Sequence, residues 1–146
     1  MDAALARRLL ATQASGTADT ALTLARGAAA LIFVVFGIGK FSAHASEVES
    51  FDKYGLPEPD ALVYAIGILE IGGGILLGLG ILTRLVALVM AGNMVAAIAL
   101  SGIGEGEVVP SLTLAPALLV IMVFLVVLGP GRPSLDERLL RRVAPP

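Results

Sequence analysis

Four long stretches with almost no charged residue constrain the fold of this chain more than any other feature. They cover residues 21–41, 61–83, 85–104 and 109–129. A helix needs about 20 predominantly apolar residues to cross the hydrocarbon core of a bilayer. Since 57% of the 146 residues are hydrophobic and only 15% are charged, the composition favours a membrane bundle over a water-soluble domain. We therefore predict an all-α membrane protein, a bundle of four transmembrane helices formed by residues 21–131.

The basic residues divide unevenly between the two sides that four crossings would define. Of the 10 Lys and Arg residues, only Lys40 and Lys53 fall on the side of the two longer loops, and the eight arginines fall on the side of the chain ends. Basic residues concentrate on the cytoplasmic side of membrane proteins. We therefore expect both termini in the cytoplasm and the acidic loops outside. An odd number of crossings would lose this asymmetry.

A secretory signal is an alternative interpretation of the first stretch. Arg26, the short apolar run 27–39 and the triplet Ala43-His44-Ala45 together resemble a signal peptide with its cleavage site. Against this, Lys40 lies between the run and the cut, the run lies deep in the chain, and cleavage would leave three spans. We favour the uncleaved helix, and N-terminal sequencing of the mature protein distinguishes the two.

Both ends of the chain are predicted to lie at the membrane surface. Residues 1–20 form an N-terminal interfacial or flexible segment, and residues 132–146 form a basic amphipathic cytoplasmic tail. Within the tail, Ser134 and Glu137 have the spacing of a capping box that would start a helix with its leucines on one face. A solvated tail that serves only to orient the protein is the alternative.

Glu70 interrupts the second apolar stretch near its middle, about 14 Å below the surface. A charged side chain there costs on the order of 2.5 to 3.5 kcal/mol on insertion scales, and such residues are usually paired, neutralised or exposed to a watery cavity. Gly67, Gly74 and Gly78 lie on the same helical stripe. Small residues let a second helix approach closely, so we expect this stripe to face the bundle interior.

Lys40 is the best candidate partner for Glu70. It lies near the outer end of the first span, on one stripe with Gly37 and His44. We predict a pair between Lys40 and Glu70, direct or through water. The alternative is that Lys40 points outward as an end anchor and Glu70 is protonated.

The other polar residues in the apolar stretches have structural interpretations as well as functional ones. Asn93 is expected to act as interhelical glue more than as a ligand, and His44 is either a proton acceptor or an interfacial residue. Arg26 must reach a surface by snorkelling, and Arg84 is explained by topology, with a cytoplasmic anion contact as the alternative. Pro116 is expected to kink or loosen the fourth span.

Several chemistries are excluded by residue content and position. Without cysteine and with one histidine, the chain has no thiolate or histidine-rich metal site. The glycine run 72–74 lies inside an apolar span, so it is no dinucleotide fingerprint, and the net charge of -2 gives no basic field for nucleic acid. We expect no metal, nucleotide or nucleic acid, and the catalytic residues, if the protein has any, stay unknown.

Several short motifs, in this order and spacing, resemble the DoxX family of small bacterial membrane proteins. They are Arg26-Gly27, Gly37-Ile38-Gly39-Lys40-Phe41, Glu70-Ile71-Gly72-Gly73-Gly74, Leu79-Gly80-Ile81-Leu82-Thr83-Arg84, Gly129-Pro130-Gly131-Arg132 and Ser134-Leu135-Asp136. The resemblance spans residues 26–136.

The resemblance implies a four-helix protein of the bacterial inner membrane. Named members are linked to thiosulfate:quinone oxidoreductase or quinol oxidase assemblies, and others to an oxidoreductase complex with superoxide dismutase and a sulfurtransferase. The family pattern includes positions that match Lys40, Glu70 and Arg84 but assigns them no reaction. Because this chain has no cysteine, it would contribute binding, proton handling or anchoring while a partner supplied the redox centre.

Three functions remain open at this point. The first is a subunit of a redox complex that holds a quinone or another small apolar molecule near Glu70 and Lys40. The second is a structural anchor that recruits soluble redox or detoxification partners. The third and least supported is a small transporter or channel, since no inverted repeat is evident. Besides the lipid bilayer, the candidate partners are soluble redox proteins and further copies of the chain.

Overall fold

All regular structure in the described part of this protein is helical. The computed structural model describes residues 3–143, and residues 1–2 and 144–146, which belong to the predicted terminal segments, lie outside it. No strand occurs between residues 3 and 143. The helices are α1 (Ala3–Leu10), α2 (Thr17–Ser42), α3 (His44–Lys53), α4 (Pro59–Leu79), α5 (Thr83–Ala97), which continues as a π-helical segment (Ile98–Gly104), α6 (Leu114–Leu128) and α7 (Leu135–Val143). The predicted all-helical class is confirmed.

Three helices are long and apolar enough to cross a membrane. Among residues 3–143 these are α2 with 26 residues, α4 with 21, and α5 with its π-helical continuation, together 22. The fourth predicted stretch forms the 15-residue helix α6, about 22 Å long, which is shorter than the hydrocarbon core of about 30 Å. The first residues of this predicted stretch form turns and not helix. In these turns the backbone N–H of Leu114 donates to Pro110 O at 2.8 Å. The described helices thus provide three candidate spans and a shorter apolar helix.

Two local predictions in this region are wrong. Pro116 does not kink a helix, because α6 begins at Leu114 and proline in a first turn removes no intrahelical hydrogen bond. The second and third predicted spans, 61–83 and 85–104, meet at Arg84, but the helices are joined earlier, at residues 80–82. Helix α4 ends with Gly80 at φ 67, a left-handed conformation that glycine adopts without steric cost, and α5 already begins at Thr83.

Glycines allow α2 and α4 to pack closely along their length. A Cβ atom on Gly37 would lie 2.9 Å from Gly67 O, and one on Gly74 would lie 2.8 Å from Ala30 O. Gly78 differs, since its nearest neighbour would be an ordinary contact at 3.6 Å. The predicted glycine stripe therefore faces a neighbouring helix, with no steric requirement for glycine at position 78.

The apolar core lies between the α2/α4 pair and the α5/α6 pair. It is closed by buried side chains of all four helices, namely Leu22, Ala29, Ala30, Phe33, Leu77, Val86, Ala87, Met90, Met94, Ala115, Leu118, Met122 and Leu125.

Both terminal helices are docked on this body. Ala6 and Leu10 of α1 are buried, and α1 packs against α7 and α5. At α7, the backbone N–H of Glu137 donates to Ser134 Oγ at 3.2 Å, which confirms the side-chain cap predicted there. Ser134 and Asp136 are buried, so this part of the tail is attached to the bundle and is not a solvated segment.

Candidate binding site between the helices

A cavity of about 380 Å³ lies between α2, α4 and α5, with α3 and residues 107–114 along it. Its walls are mainly apolar and carry four aromatic rings, those of Phe33, Phe36, Phe51 and Tyr54. Pockets of roughly 300 to 1,000 Å³ with apolar walls and a few polar groups are typical of small-molecule sites. The cavity is therefore the candidate functional site.

Glu70 lies on the cavity wall with one carboxylate oxygen hydrogen-bonded and the other without a hydrogen-bond partner. The residue is only 5% exposed and projects from the middle of α4. Asn93 Nδ2, on α5, donates to Glu70 Oε1 at 3.1 Å, so Asn93 joins the two helices as interhelical glue would. Glu70 Oε2 is buried and has no hydrogen-bond partner.

Lys40 reaches into the same site from α2. Its Nζ lies 3.9 Å from Glu70 Oε2, and its side chain is 12% exposed. The ammonium donates one hydrogen bond to Glu47 Oε2 on α3, at 3.1 Å, and lies 5.6 Å from the centre of the Phe51 ring, within cation–π range. Lys40 is thus turned inward between two carboxylates, with Glu47 as its closer partner.

Gly67 allows Lys40 and Glu70 to come together. It lies one turn before Glu70 on α4, and a Cβ atom there would lie 3.2 Å from Lys40 Cβ and 2.7 Å from Phe41 Cε2. A larger residue would push α2 away from α4 at this level. The glycine stripe therefore permits the close helix packing that brings Lys40 and Glu70 together.

A second polar group lies at the far wall of the cavity. Ser101, on the π-helical segment, and Ser111 both donate from Oγ to Glu107 Oε2. The backbone N–H of Glu107 donates in turn to Ser101 O at 3.1 Å. These bonds fix the loop that follows the π-helical segment against the cavity.

Among the residues of the site that sequence reasoning missed are the polar residues Glu47, Ser101, Glu107 and Ser111. Both glutamates were interpreted only as acidic loop residues. No helical spacing predicts the contact of Glu47 with Lys40, because α2 ends at Ser42 and α3 begins at His44, between the two residues. The contact of Ser101 with Glu107 depends on a loop conformation that no periodicity encodes.

His44 does not belong to the cavity, contrary to its predicted stripe with Lys40. Helix α2 ends at Ser42 and α3 begins at His44, so the helical register is broken between the two residues. The His44 ring stacks on Tyr64 with 4.0 Å between ring centres, and its Nε2 lies 3.8 Å from Asp60 Oδ1. It lies beside the start of α4.

Arg26 does not snorkel to a surface as predicted. It is 3% exposed and donates to the carbonyl oxygens of Leu77 and Gly78 at the C-terminal end of α4. It also donates to Pro133 O at 2.7 Å. A cation at a helix C-terminus satisfies free carbonyls and complements the helix dipole.

Arg84 binds the free carbonyls at the end of α6 in the same way, so membrane topology alone does not explain this residue. Its guanidinium donates to the carbonyl oxygens of Val126 and Val127 at the end of α6 and to Ala11 O at 3.1 Å. Arg84 is therefore committed to backbone carbonyls at the opposite end of the bundle from the cavity.

No cluster of three or more His, Asp or Glu side chains that could hold a metal ion occurs between residues 3 and 143. The polar groups that line the cavity are suited to hydrogen bonding with an organic ligand. Lys40, Glu70 and Asn93 form one such group and the Glu107 cluster forms the other.

The helices and the cavity define a class of protein, a helical membrane protein with a polar site between its spans. Residues 21–102 match the family model DoxX, so the chain belongs to the DoxX family. This matched region contains Lys40, Glu70 and Asn93. The predicted membership is confirmed.

One curated relative carries a name that bears on activity. The chain is 34% identical over 68 residues to the Bacillus subtilis (strain 168) protein named "Putative oxidoreductase CatD", and the match covers 47% of this chain and 49% of that protein. The chain thus aligns with about half the length of this relative. No solved structure matches the chain significantly.

Proposed function

We propose that this protein holds a small ring-bearing molecule of the quinone type in the cavity, as a subunit of an oxidoreductase complex of the bacterial inner membrane. The observation that carries the proposal is the buried Glu70 Oε2, which has no hydrogen-bond partner and belongs to a side chain on the wall of an aromatic-lined cavity. An unsatisfied buried polar atom costs about 1–3 kcal/mol. A ligand hydroxyl, such as that of the reduced, hydroquinone form, would recover that free energy by donating to this oxygen.

Aromatic residues would contact the ring of the ligand, and charged residues would contact its polar head group. The rings of Phe33, Phe36 and Phe51 offer surfaces for a flat ring, since aromatic groups pack well in offset or edge-to-face arrangements. Lys40 and Glu70 orient the polar head group. The name of the Bacillus relative supports an oxidoreductase context, and we place electron transfer on a partner subunit.

The proposal includes four crossings with both termini in the cytoplasm. Helix α6 would complete the fourth crossing together with the turns before it, where Val108 and Val109 are 60% and 71% exposed, as lipid-facing residues would be. The acidic loops and α3 then lie outside. The cavity would occupy the outer half of the bundle.

A matched pair of substitutions tests the binding function. Ala97 lines the cavity, whereas Ala99, two residues later, is exposed and is not among the lining residues. We expect the wild-type protein in lipid nanodiscs to bind decylbenzoquinone or its hydroquinone, Ala97→Phe to weaken that binding at least about tenfold, and Ala99→Phe to leave it unchanged. Binding of neither redox form by the wild-type protein would refute the proposal.

The anchor function is the second candidate, and the exposure of the α7 arginines favours it. Arg138, Arg141 and Arg142 are exposed, so they are available to an acidic partner surface. Glutamine at all three positions should release soluble proteins that co-purify in mild detergent, while decylbenzoquinone binding persists. Unchanged co-purification would contradict this function.

A further inference from the structure

We propose that Glu70 exchanges its proton with water at the end of the bundle where α3 lies, by way of Lys40 and Glu47. In the proposed orientation this end is the outer side of the membrane. The exchange needs no bound ligand, so it goes beyond the proposed function and does not depend on it. It gives the cavity a further activity, the passage of a proton between a group in the middle of α4 and one side of the membrane.

Glu70, Lys40 and Glu47 form a series that leads from the interior toward the surface. Lys40 Nζ lies 3.9 Å from Glu70 Oε2 and 3.1 Å from Glu47 Oε2. The exposed fraction of the side chain rises from 7% for Glu70 to 12% for Lys40 and 33% for Glu47. A proton that passes along the series therefore moves from a buried carboxyl group to one in contact with water.

The first contact of the series has an unused hydrogen-bonding position on each side. Glu70 Oε2 is buried without a hydrogen-bond partner. An ammonium has three N–H donors, and Lys40 directs one of them to Glu47. Proton transfer requires heavy atoms about 2.6–3.2 Å apart, so Nζ must approach Oε2 by about 1 Å, which the flexible four-carbon stem of lysine permits.

A proton on Glu70 Oε2 leaves in two linked transfers. The Lys40 ammonium gives one of its protons to Glu47 Oε2, and the resulting amine accepts the proton of Glu70. Lys40 ends as an ammonium again, Glu70 as a carboxylate and Glu47 as a carboxylic acid, so one proton has moved and the total charge is unchanged. Glu47 then releases the proton to water, and the reverse sequence protonates Glu70.

Apolar packing closes the opposite direction from Glu70. The interior there contains the fully buried side chains Leu77, Met90, Met122 and Leu125. Packed apolar interiors contain few voids that could hold a water molecule. At the far end of the bundle, Arg26 and Arg84 bond to backbone carbonyls, and a guanidinium does not give up its proton in proteins. Proton exchange is therefore directed toward α3.

The other charged groups around Glu70 leave Lys40 as its neighbour in the series. In the described part of the chain, the cavity is lined by four further titratable side chains, Lys40, Glu47, Tyr54 and Glu107. Lys40 faces Glu70 from α2 and Glu47 from α3, whereas α5 presents the uncharged Asn93. Glu107 is the alternative exit, but its Oε2 accepts from two serine hydroxyls at the far wall.

Time-resolved infrared spectroscopy of the intact protein in lipid nanodiscs tests the inference. Flash release of protons from a caged acid lowers the pH, and protonation of Glu70 appears as a carboxylic acid carbonyl band that is missing in Glu70→Gln. In Glu47→Gln the amide keeps an acceptor oxygen for Lys40 but has no carboxylate to take up a proton. Since a positioned side chain accelerates proton transfer about 10²–10⁴-fold, we expect the Glu70 band to appear at least about a hundredfold more slowly in Glu47→Gln.

Two further variants separate proton transfer from charge and from general effects on α3. Glu49→Gln is the matched control, because Glu49 is an exposed residue of the same helix that does not line the cavity, and the rate should stay that of the wild type. Lys40→Arg keeps a positive charge between the two carboxylates but provides no proton for transfer, so the band should again appear slowly. A purely structural role of Lys40 and Glu47 would change the amplitude of the band and not its rate.

Each outcome supports or overturns the exchange route. A Glu70 band that appears as fast in Glu47→Gln as in the wild type would show that the proton takes another path and would overturn the inference, even if Lys40→Arg did not fold. A Glu70 carboxyl group that keeps one protonation state between acidic and alkaline pH would overturn it as well. Neither result concerns decylbenzoquinone binding, so the proposed function would stand.

Discussion

At the scale of single residues, two glycines of one stripe should respond differently to a methyl group. A Cβ atom at Gly74 would lie 2.8 Å from both Ala30 O and Val34 Cγ2, whereas the nearest atom to a Cβ at Gly78 is 3.6 Å away. We expect Gly74→Ala to lower the free energy of unfolding by about 1–3 kcal/mol, the usual cost of overpacking. Gly78→Ala should leave it nearly unchanged. Thermal unfolding in detergent compares the two, and equal stability would contradict the close packing of α2 on α4.

The charged centre of the site could be predicted from the sequence because a carboxylate inside an apolar span is costly and is usually paired. Glu70 lies in the middle of an apolar helix, and Lys40 was the nearest cation on the preceding span. The same reasoning could not find Glu47, since its approach to Lys40 depends on the helix break after Ser42. That break also removed His44 from the predicted stripe.

At the scale of helices, Asp136 is expected to stabilise the start of α5. Its two carboxylate oxygens accept from the backbone N–H groups of Leu82 and Thr83, each at 2.8 Å, as an N-terminal cap does. Asp136→Ala should cost about 1–2 kcal/mol of stability and speed hydrogen exchange at those two amides. Asp52→Ala, at an exposed position of α3, is the control and should do neither. Unchanged exchange in Asp136→Ala would show that the cap contributes nothing.

Arg26 should be equally important at the end of α4. In Arg26→Met the apolar stem remains, but the carbonyls of Leu77, Gly78 and Pro133 lose their donor. An unsatisfied buried polar group costs about 1–3 kcal/mol, so the midpoint of thermal unfolding should fall clearly. Arg138→Met removes an exposed arginine and should leave the midpoint in place. Equal midpoints for both variants would indicate that water replaces the guanidinium.

The two arginines that bond to helix ends show what could not be predicted from the sequence. Composition and spacing predicted the apolar helices, yet both arginines were assigned to membrane orientation. Arg26 on α2 caps α4, and Arg84 on α5 caps α6, so each arginine joins the two helices of one pair. Such contacts between an arginine and carbonyls 51 and 43 residues away follow from tertiary packing and have no signature in the local sequence.

At the scale of the whole molecule, the number of crossings depends on α6. With 15 residues it is about 22 Å long, so it crosses only if flanking residues extend it or the bilayer thins around it. Four crossings place residues 105 and 138 on opposite sides, whereas three crossings place them on the same side. The sides of the membrane on which residues 105 and 138 lie therefore distinguish four crossings from three.

Because the chain has no cysteine, labelling of single introduced cysteines can determine the side on which each position lies. Single cysteines at Glu49, Glu105 and Arg138, all exposed, would each provide the only thiol. Four crossings predict that a membrane-impermeant maleimide labels Glu49→Cys and Glu105→Cys in spheroplasts, and Arg138→Cys only after permeabilisation. Labelling of Arg138→Cys in intact spheroplasts together with Glu105→Cys would show that α6 does not cross. The cavity borders α6 and the loop before it, so that outcome would also move its far wall to the membrane surface.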